Sequence, residues 1–125
     1  MARKEIVTPN ALAAGPYSHG IDADGLIFLS GKAAVDAKTG KLIDGDIKAE
    51  TEQTFKNLFE VLEAAGLSSD HVQKVNVYLT NMDDFKEMNE VYKDQFSKPY
   101  PARTTIGVAS LPMGAKVEIE LIAKR

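Results

Sequence analysis

The sequence predicts an α+β fold, a two-layer sandwich in which a mixed sheet carries two helices on one face. The predicted elements follow the order strands, helix, strand, helix and two further strands. Strand–helix–strand crossovers are right-handed, so two of them place both helices on the same side of one sheet. The chain has 125 residues and no linker-like stretch, which indicates a single domain spanning residues 1–125.

The first part of the chain is predicted to contain short strands and a hairpin. Residues Lys4–Val7 and Leu26–Ser30 have compositions typical of strands. Gly20, between them, marks a loop or the start of another strand. The segment Asp36–Gly40 has turn chemistry and is expected to close a small hairpin that ends near Leu42.

Apolar residues at helical spacing predict both helices. The first runs from Asp46 to Ala65, with Asp46 as its N-cap and Gly66 at its C-terminal end. A second helix is capped by Asn81 or Asp83 and ends before the prolines at positions 99 and 101. Its predicted apolar face consists of Phe85, Met88 or Asn89, Tyr92 and Phe96.

Alternating apolar and polar residues predict a strand at 75–80 and two more over Arg103–Ala109 and Lys116–Ala123. The side of the last two strands expected under the helices carries Thr104, Ile106, Val108, Val117, Ile119, Leu121 and Ala123. The opposite, mixed side carries Arg103, Thr105, Gly107, Glu118, Glu120 and Ile122, with Asn76, Tyr78 and Thr80 from the first strand. Tyr78 and Ile122 on this exposed face favour a subunit interface.

Composition argues against several classes of function. The chain has no cysteine, which removes disulfide frameworks and thiol nucleophiles. A net charge of −3 and a pI near 5.4 argue against a nucleic-acid partner. No segment approaches the ~20 apolar residues of a membrane span, and the first ten residues lack the apolar run of a signal peptide, so we expect a cytoplasmic protein.

Metal and triad chemistry are not indicated either. The two histidines, His19 and His71, stand far apart and have no ligand-like neighbours, so we expect no metal. No histidine is clearly tied to a serine, which argues against a nucleophilic triad.

The residues that remain for chemistry are Arg103, Glu118 and Glu120. One interpretation is a surface ion pair between neighbouring strands, which stabilises a fold by only ~0–1 kcal/mol. The other is that Arg103 binds a substrate carboxylate while one glutamate acts as a general acid/base. If the loop at 110–114 closed a plain hairpin, Glu118 would lie roughly 13 Å along the strand from the position opposite Arg103. A site using both would then need a bulge or two subunits.

Several segments together closely resemble the signature of the RidA/YjgF/UK114 family. They are Gly15–Ser18, Leu29–Gly31, Glu63–Leu67, Asn89–Tyr92, Pro101–Pro112 and Lys116–Ala123. They cover essentially the whole chain in the same order. The resemblance implies a chorismate-mutase-like fold that assembles as a homotrimer, with a central barrel of sheets and clefts between subunits.

The resemblance also implies an activity, the hydrolysis of reactive 2-imino acids such as 2-iminobutanoate and 2-iminopropanoate, or of their 2-amino-enoate tautomers, to 2-oxo acids and ammonia, without a cofactor. It implies that Arg103 and Glu118 are catalytic, with Arg103 holding the substrate carboxylate and Glu118 handling the water. The implied substrate-binding residues are Tyr17, Ser30, Gly31, Asn89 and Thr105.

Three positions depart from the family pattern. Thr105 stands where many members have cysteine, and His19 and Lys32 stand where glutamine is frequent. Lys32, beside Gly31, is expected to influence which substrate tail is accepted. Two alternatives from other classes stay open, a non-catalytic regulatory module that binds 2-oxo acids and a ribonuclease that inhibits translation. The acidic pI argues against the second.

Overall fold

The computed structural model of the chain describes residues 2–9 and 15–125. The strands are β1 (Lys4–Ile6), β2 (Gly20–Ala23), β3 (Leu26–Lys32), β4 (Val35–Asp36), β5 (Lys41–Leu42), β6 (Val72–Leu79), β7 (Ala102–Gly107) and β8 (Val117–Lys124). The helices are α1 (Ile47–Ala64) and α2 (Phe85–Tyr92). Six strands form one mixed sheet in the order β1-β2-β3-β8-β6-β7, and β4 pairs with β5 as the predicted hairpin.

Local residue chemistry sets both ends of α1 and the turn that precedes α2. The carboxylate of Asp46 accepts the backbone N–H of Ala49 at 2.9 Å, which confirms the predicted N-cap. Gly66 follows the helix with a φ of +75°, a conformation that favours glycine. Asn81 caps a 3₁₀ turn over Met82–Asp84 that leads directly into α2.

The core lies between one face of the sheet and the two helices, as predicted. Phe55 of α1 packs edge-on against Tyr92 just at the end of α2, with ring centroids 5.6 Å apart, which joins the helices. The fully buried side chains of the sheet include Ile27, Val75, Val77, Val117 and Ile119. Burying one such side chain contributes about 1.5–3 kcal/mol. The molecule is therefore a two-layer α+β sandwich with a mixed sheet.

The last two strands do not form the plain hairpin that the sequence analysis considered. β6 lies between them, parallel to β7 and antiparallel to β8. After β7 the chain continues alongside the end of β6, because Val108 N–H donates to the Leu79 carbonyl at 2.8 Å. It returns through a 3₁₀ turn at Pro112–Gly114, and Thr80 N–H then donates to the Lys116 carbonyl at 3.2 Å. The connection thus crosses the end of β6 and is not a hairpin.

The predicted faces of β7 are also inverted. Arg103 is in register with the buried Val75, so its side chain lies on the helix side of the sheet, as does that of Thr105. Thr104 and Ile106 lie on the far side, where Ile106 is 45% exposed. β7 is an edge strand, and its helix side is packed against α2 by a long polar side chain rather than by apolar ones.

Candidate active site

The end of β3 brings the backbone close to a carboxyl group on β8. The register between these strands shifts between Leu29 and Lys32, which makes a bulge. A Cβ built on Gly31 would lie 2.8 Å from Oε2 of Glu118. The absence of a side chain at Gly31 therefore permits the approach.

A cavity of ≈ 590 Å³ opens beside this bulge. Its lining includes four predicted site residues, Tyr17, Ser30, Gly31 and Glu118. The Ser30 hydroxyl donates to the Ser18 carbonyl at 2.5 Å, and the Ser30 N–H donates to the His19 carbonyl at 3.0 Å. These two bonds fix the loop that carries Tyr17 onto the end of β3.

The two glutamates of β8 lie on the same far side of the sheet but in different surroundings. Glu120 accepts hydrogen bonds from the Tyr78 hydroxyl at 2.6 Å and from Asn76 Nδ2 at 3.1 Å. That carboxylate raises the pKa of Tyr78 to about 12. Within residues 2–9 and 15–125, the carboxyl group of Glu118 makes no hydrogen bond or salt bridge. Burial and, second, the charge of Glu120 raise the pKa of Glu118.

A half-buried lysine lies in the same cavity. Lys32 lines it together with His19, and its Nζ contacts Nδ1 of the imidazole. Burial lowers the pKa of Lys32 to about 8, because the charged form loses hydration there. The sequence identified both residues as departures from the family pattern, but not their contact.

Arg103 lies in the second half of the predicted site, beside α2. Its Nη1 donates to Oδ1 of Asn89 at 2.6 Å. Its guanidinium carbon lies 4.5 Å from the ring centroid of Tyr92 and 5.6 Å from that of Phe85. A hydrogen bond and two aromatic rings thus hold the planar group in one orientation. The expectation of an ion pair between Arg103 and a glutamate on the next strand is wrong.

The structure therefore divides the predicted site residues into two groups. Tyr17, Ser30, Gly31 and Glu118 line the cavity, whereas Arg103, Asn89 and Thr105 lie on the helix side. Two strand spacings, about 9.5 Å, separate β7 from β8 along the sheet, and the two catalytic candidates point to opposite faces. The hydroxyl oxygen of Thr105 is buried, with no hydrogen-bond partner in the described part of the chain.

Sequence reasoning missed the residues that support each group. Asn57 of α1 donates from Nδ2 to the carbonyls of Ala33 and Val35, at 3.0 and 2.9 Å, and so holds the rim of the cavity. In the sequence, the only indication of this role is that Asn57 is a polar residue next to the apolar face of α1. Phe85 and Tyr92 were assigned to the helix core, and the spacing of apolar residues does not show that they also flank an arginine.

Two further features of the described residues bear on cofactors and membranes. Among the described residues, no group of three or more His, Asp or Glu side chains is arranged to hold a metal ion. Neither α1 nor any other helix in 2–9 and 15–125 combines the length and apolar character needed to cross a membrane.

Comparison with known families decides the classification. The family model described as Endoribonuclease L-PSP, that of the RidA/YjgF proteins, matches residues 8–125. The chain belongs to this family. The resemblance found in the sequence motifs is thereby confirmed.

Members of the RidA/YjgF family with different names resemble the chain over nearly its whole length. A Mus musculus protein named 2-iminobutanoate/2-iminopropanoate deaminase is 45% identical over 122 residues, covering 97% of this chain and 90% of the mouse protein. An Aquifex aeolicus protein named only for the RutC family is 44% identical over 123 residues, covering 96% and 98%. The structure of TdcF from E. coli with bound serine matches with a TM-score of 0.91 and 38% identity, covering 98% of each chain.

Proposed function

We propose that the protein hydrolyses reactive 2-imino acids to 2-oxo acids and ammonia, in clefts between the subunits of a homotrimer. One observation carries this proposal: a partly buried carboxyl group, Glu118, lines a cavity directly beside the backbone of Gly31. Family membership and the name of the mouse relative support the choice of substrate class. The proposed location is the cytoplasm, although relatives from other organisms carry chloroplastic and mitochondrial names.

Arg103 is proposed to bind the substrate carboxylate. Asn89 occupies one terminal nitrogen of the guanidinium, and the remaining N–H groups suit a two-pronged bond to a carboxylate. The aromatic rings of Phe85 and Tyr92 keep the plane of the group fixed. A substrate held this way presents C2 in a single orientation, which lowers the entropic cost of attack.

Glu118 is proposed to orient the attacking water, to accept its proton and to return a proton to the departing nitrogen. The raised pKa of Glu118 lies closer to neutral pH, and a group whose pKa is near the working pH can both accept and donate protons. The imine carbon of a protonated 2-imino acid is already electrophilic, so these steps use only the chain's own residues. The backbone at Gly31 lies close enough to Glu118 to contact the same substrate atoms.

The homotrimer is part of the proposal because Arg103 and Glu118 point to opposite faces of one sheet. The far face exposes Leu26, Phe28 and Ile106, by 39%, 41% and 45%. Exposed apolar side chains on one face of a sheet are typical of a surface that another subunit covers. A light-scattering mass of about three times 13.6 kDa is expected at micromolar concentration, and a monomer mass would contradict a shared site.

A coupled assay tests the activity. Threonine dehydratase generates the imine from threonine, semicarbazide traps it, and the protein should suppress trapping in proportion to its concentration. Heat-denatured protein is the control for nonspecific effects. If trapping is unchanged over the whole range of concentrations, the deaminase proposal is wrong.

A second candidate is a regulatory module that binds amino or 2-oxo acids without turning them over. The TdcF structure contains serine, which favours a cleft able to hold a small carboxylate. Calorimetric binding of 2-oxobutanoate without suppression of trapping would support this candidate. Because the family is named Endoribonuclease L-PSP, the same protein should also be incubated with labelled RNA. The net charge of −3 predicts no cleavage.

A further inference from the structure

In its contacts, Lys32 differs from the two lysines that form salt bridges in the described part of the chain. Lys48 pairs with Glu90 at 2.8 Å and Lys116 pairs with Glu50 at 3.3 Å, and both lysines are about half exposed. Lys32 is half-buried, and its recorded partner is the imidazole of His19, not a carboxylate. Its position directly after Gly31 places its side chain in the cavity that Glu118 lines.

These surroundings favour the uncharged amine. At a pKa of about 8, about one amine in ten is uncharged at pH 7, against about one in three thousand for a lysine at 10.5. An uncharged amine in a desolvated pocket is a nucleophile toward carbonyl and imine carbons. Nδ1 of His19 is in contact with Nζ and can accept the proton that the amine loses on attack.

We propose that Lys32 is a nucleophile that forms a Schiff base with C2 of 2-oxo and 2-imino acids bound in this cavity. The choice of these carbonyl compounds rests on the proposed function. The lone pair of Nζ forms a bond to C2, the π pair of the C=O or C=N bond moves to the oxygen or nitrogen, and His19 takes one proton from Nζ. His19 returns this proton to the departing group and then passes on the second Nζ proton, so that the group leaves as water from a 2-oxo acid or as ammonia from a 2-imino acid and an uncharged Schiff base remains.

Hydrolysis completes the sequence. Water adds to C2 of the Schiff base, the C2–Nζ bond breaks, and the 2-oxo acid and the amine are released. No oxidant or reductant is required. For a 2-imino acid the net result equals that of direct attack by water, so the covalent route shares the substrate and the cavity of the proposed reaction but uses a different first nucleophile.

Reductive trapping tests the proposal directly. The full-length protein is incubated with 2-oxobutanoate and cyanoborohydride, and adducts are located by intact mass and peptide mapping. We expect one reduced adduct at Lys32, formed at least about tenfold faster than at any other lysine because of its uncharged fraction. Uniform labelling of all lysines would overturn the proposal.

Matched variants distinguish the loss of the nucleophilic amine from the loss of the positive charge. Lys32→Arg keeps a cation and Lys32→Gln keeps a polar side chain, and both should lose the adduct, whereas Lys48→Gln should keep it. An adduct rate unchanged in Lys32→Gln would refute the assignment. The labelling rate should rise with pH and level off above about 8, with Tyr17, His19 and Glu118 as the titratable groups lining the same cavity.

The trapping assay on the same proteins keeps the two proposals distinguishable. An adduct at Lys32 without suppression of semicarbazide trapping supports the nucleophile and refutes the deaminase. Suppression of trapping with no adduct at Lys32 supports the deaminase and refutes the nucleophile. Peptide mapping of the parent protein gives this answer even if a variant fails to fold.

Discussion

The surroundings of Arg103 and of Glu118 differ in how each holds its charged group. Arg103 is hydrogen-bonded to Asn89 and flanked by two aromatic rings. Glu118 lines a cavity together with Lys32. In this cavity the pKa of Glu118 is raised and the pKa of Lys32 is lowered. The first environment fixes geometry, and the second changes proton affinity. Under the proposed function, the helix side of the sheet binds the substrate carboxylate and the far side transfers protons.

The largest expected effect comes from the Arg103 side. Arg103→Ala should lower deaminase activity at least about 100-fold, because the substrate is no longer oriented. Arg103→Lys should be nearly as poor, since the compact ammonium lacks the planar fork. The imine-trapping assay and calorimetry with 2-oxobutanoate measure the two effects. Arg125→Lys, on a pair with Asp22 away from the cavity, is the matched control and should stay fully active. If Arg103→Ala bound 2-oxobutanoate with unchanged affinity, Arg103 would not be the residue that binds the substrate carboxylate.

The next largest effect is expected at Glu118, where a substitution should lower the turnover rate more than the binding affinity. Glu118→Gln removes the proton acceptor but keeps the shape, so turnover should fall about 100-fold with little change in 2-oxobutanoate affinity. Glu120→Gln is the control on the same strand and face. Its amide oxygen can still accept from Tyr78, so activity should stay within about threefold of the parent. If Glu120→Gln were inactive and Glu118→Gln active, the base would be Glu120, two residues further along β8, and the assignment to Glu118 would be wrong.

Gly31→Ala should give a smaller loss, about tenfold, by displacing the carboxyl group. The new methyl would lie 2.8 Å from Oε2 of Glu118, which forces that side chain to move. A double-mutant cycle identifies the cause. If the loss acts through Glu118, adding Gly31→Ala to Glu118→Gln should reduce turnover little further. Fully additive losses would show that the glycine acts on the substrate by another path.

Much of this fold was predictable because its periodic patterns are strong. β6 and β8 alternate buried and mostly half-buried residues, and both ends of α1 carry standard cap signals at Asp46 and Gly66. β2 has no such pattern in its four residues and was anticipated only as a possible strand start at Gly20. The order of strands was not predictable, since consecutive strands with a short connection usually pair, and here β6 intervenes.

The faces of β7 show why the candidate site was only partly predictable. Alternating Thr104 and Ile106 suggested a buried side, yet Ile106 is 45% exposed while Arg103 lies against α2. The covered face of β7 holds a guanidinium between an amide and two aromatic rings of α2, so an apolar pattern does not reveal which face is covered. The family motif identified the individual residues. It did not reveal the contact between Lys32 and His19, which depends on the bulge that ends β3.

The smallest expected effect concerns stability rather than rate. The pKa of Glu118 is raised in the fold, so the native state binds this proton more tightly than the unfolded chain does. The ionised group therefore destabilises the native state, fully above its folded pKa and not at all well below 4.5, the ordinary value. Glu118→Gln should raise Tm at pH 7 by about 2 °C or less, with the gain disappearing toward pH 4. Calorimetric melts of both proteins at a series of pH values measure this difference, and a Tm that falls at pH 7 would mean that the ionised Glu118 has a stabilising partner in the assembled protein.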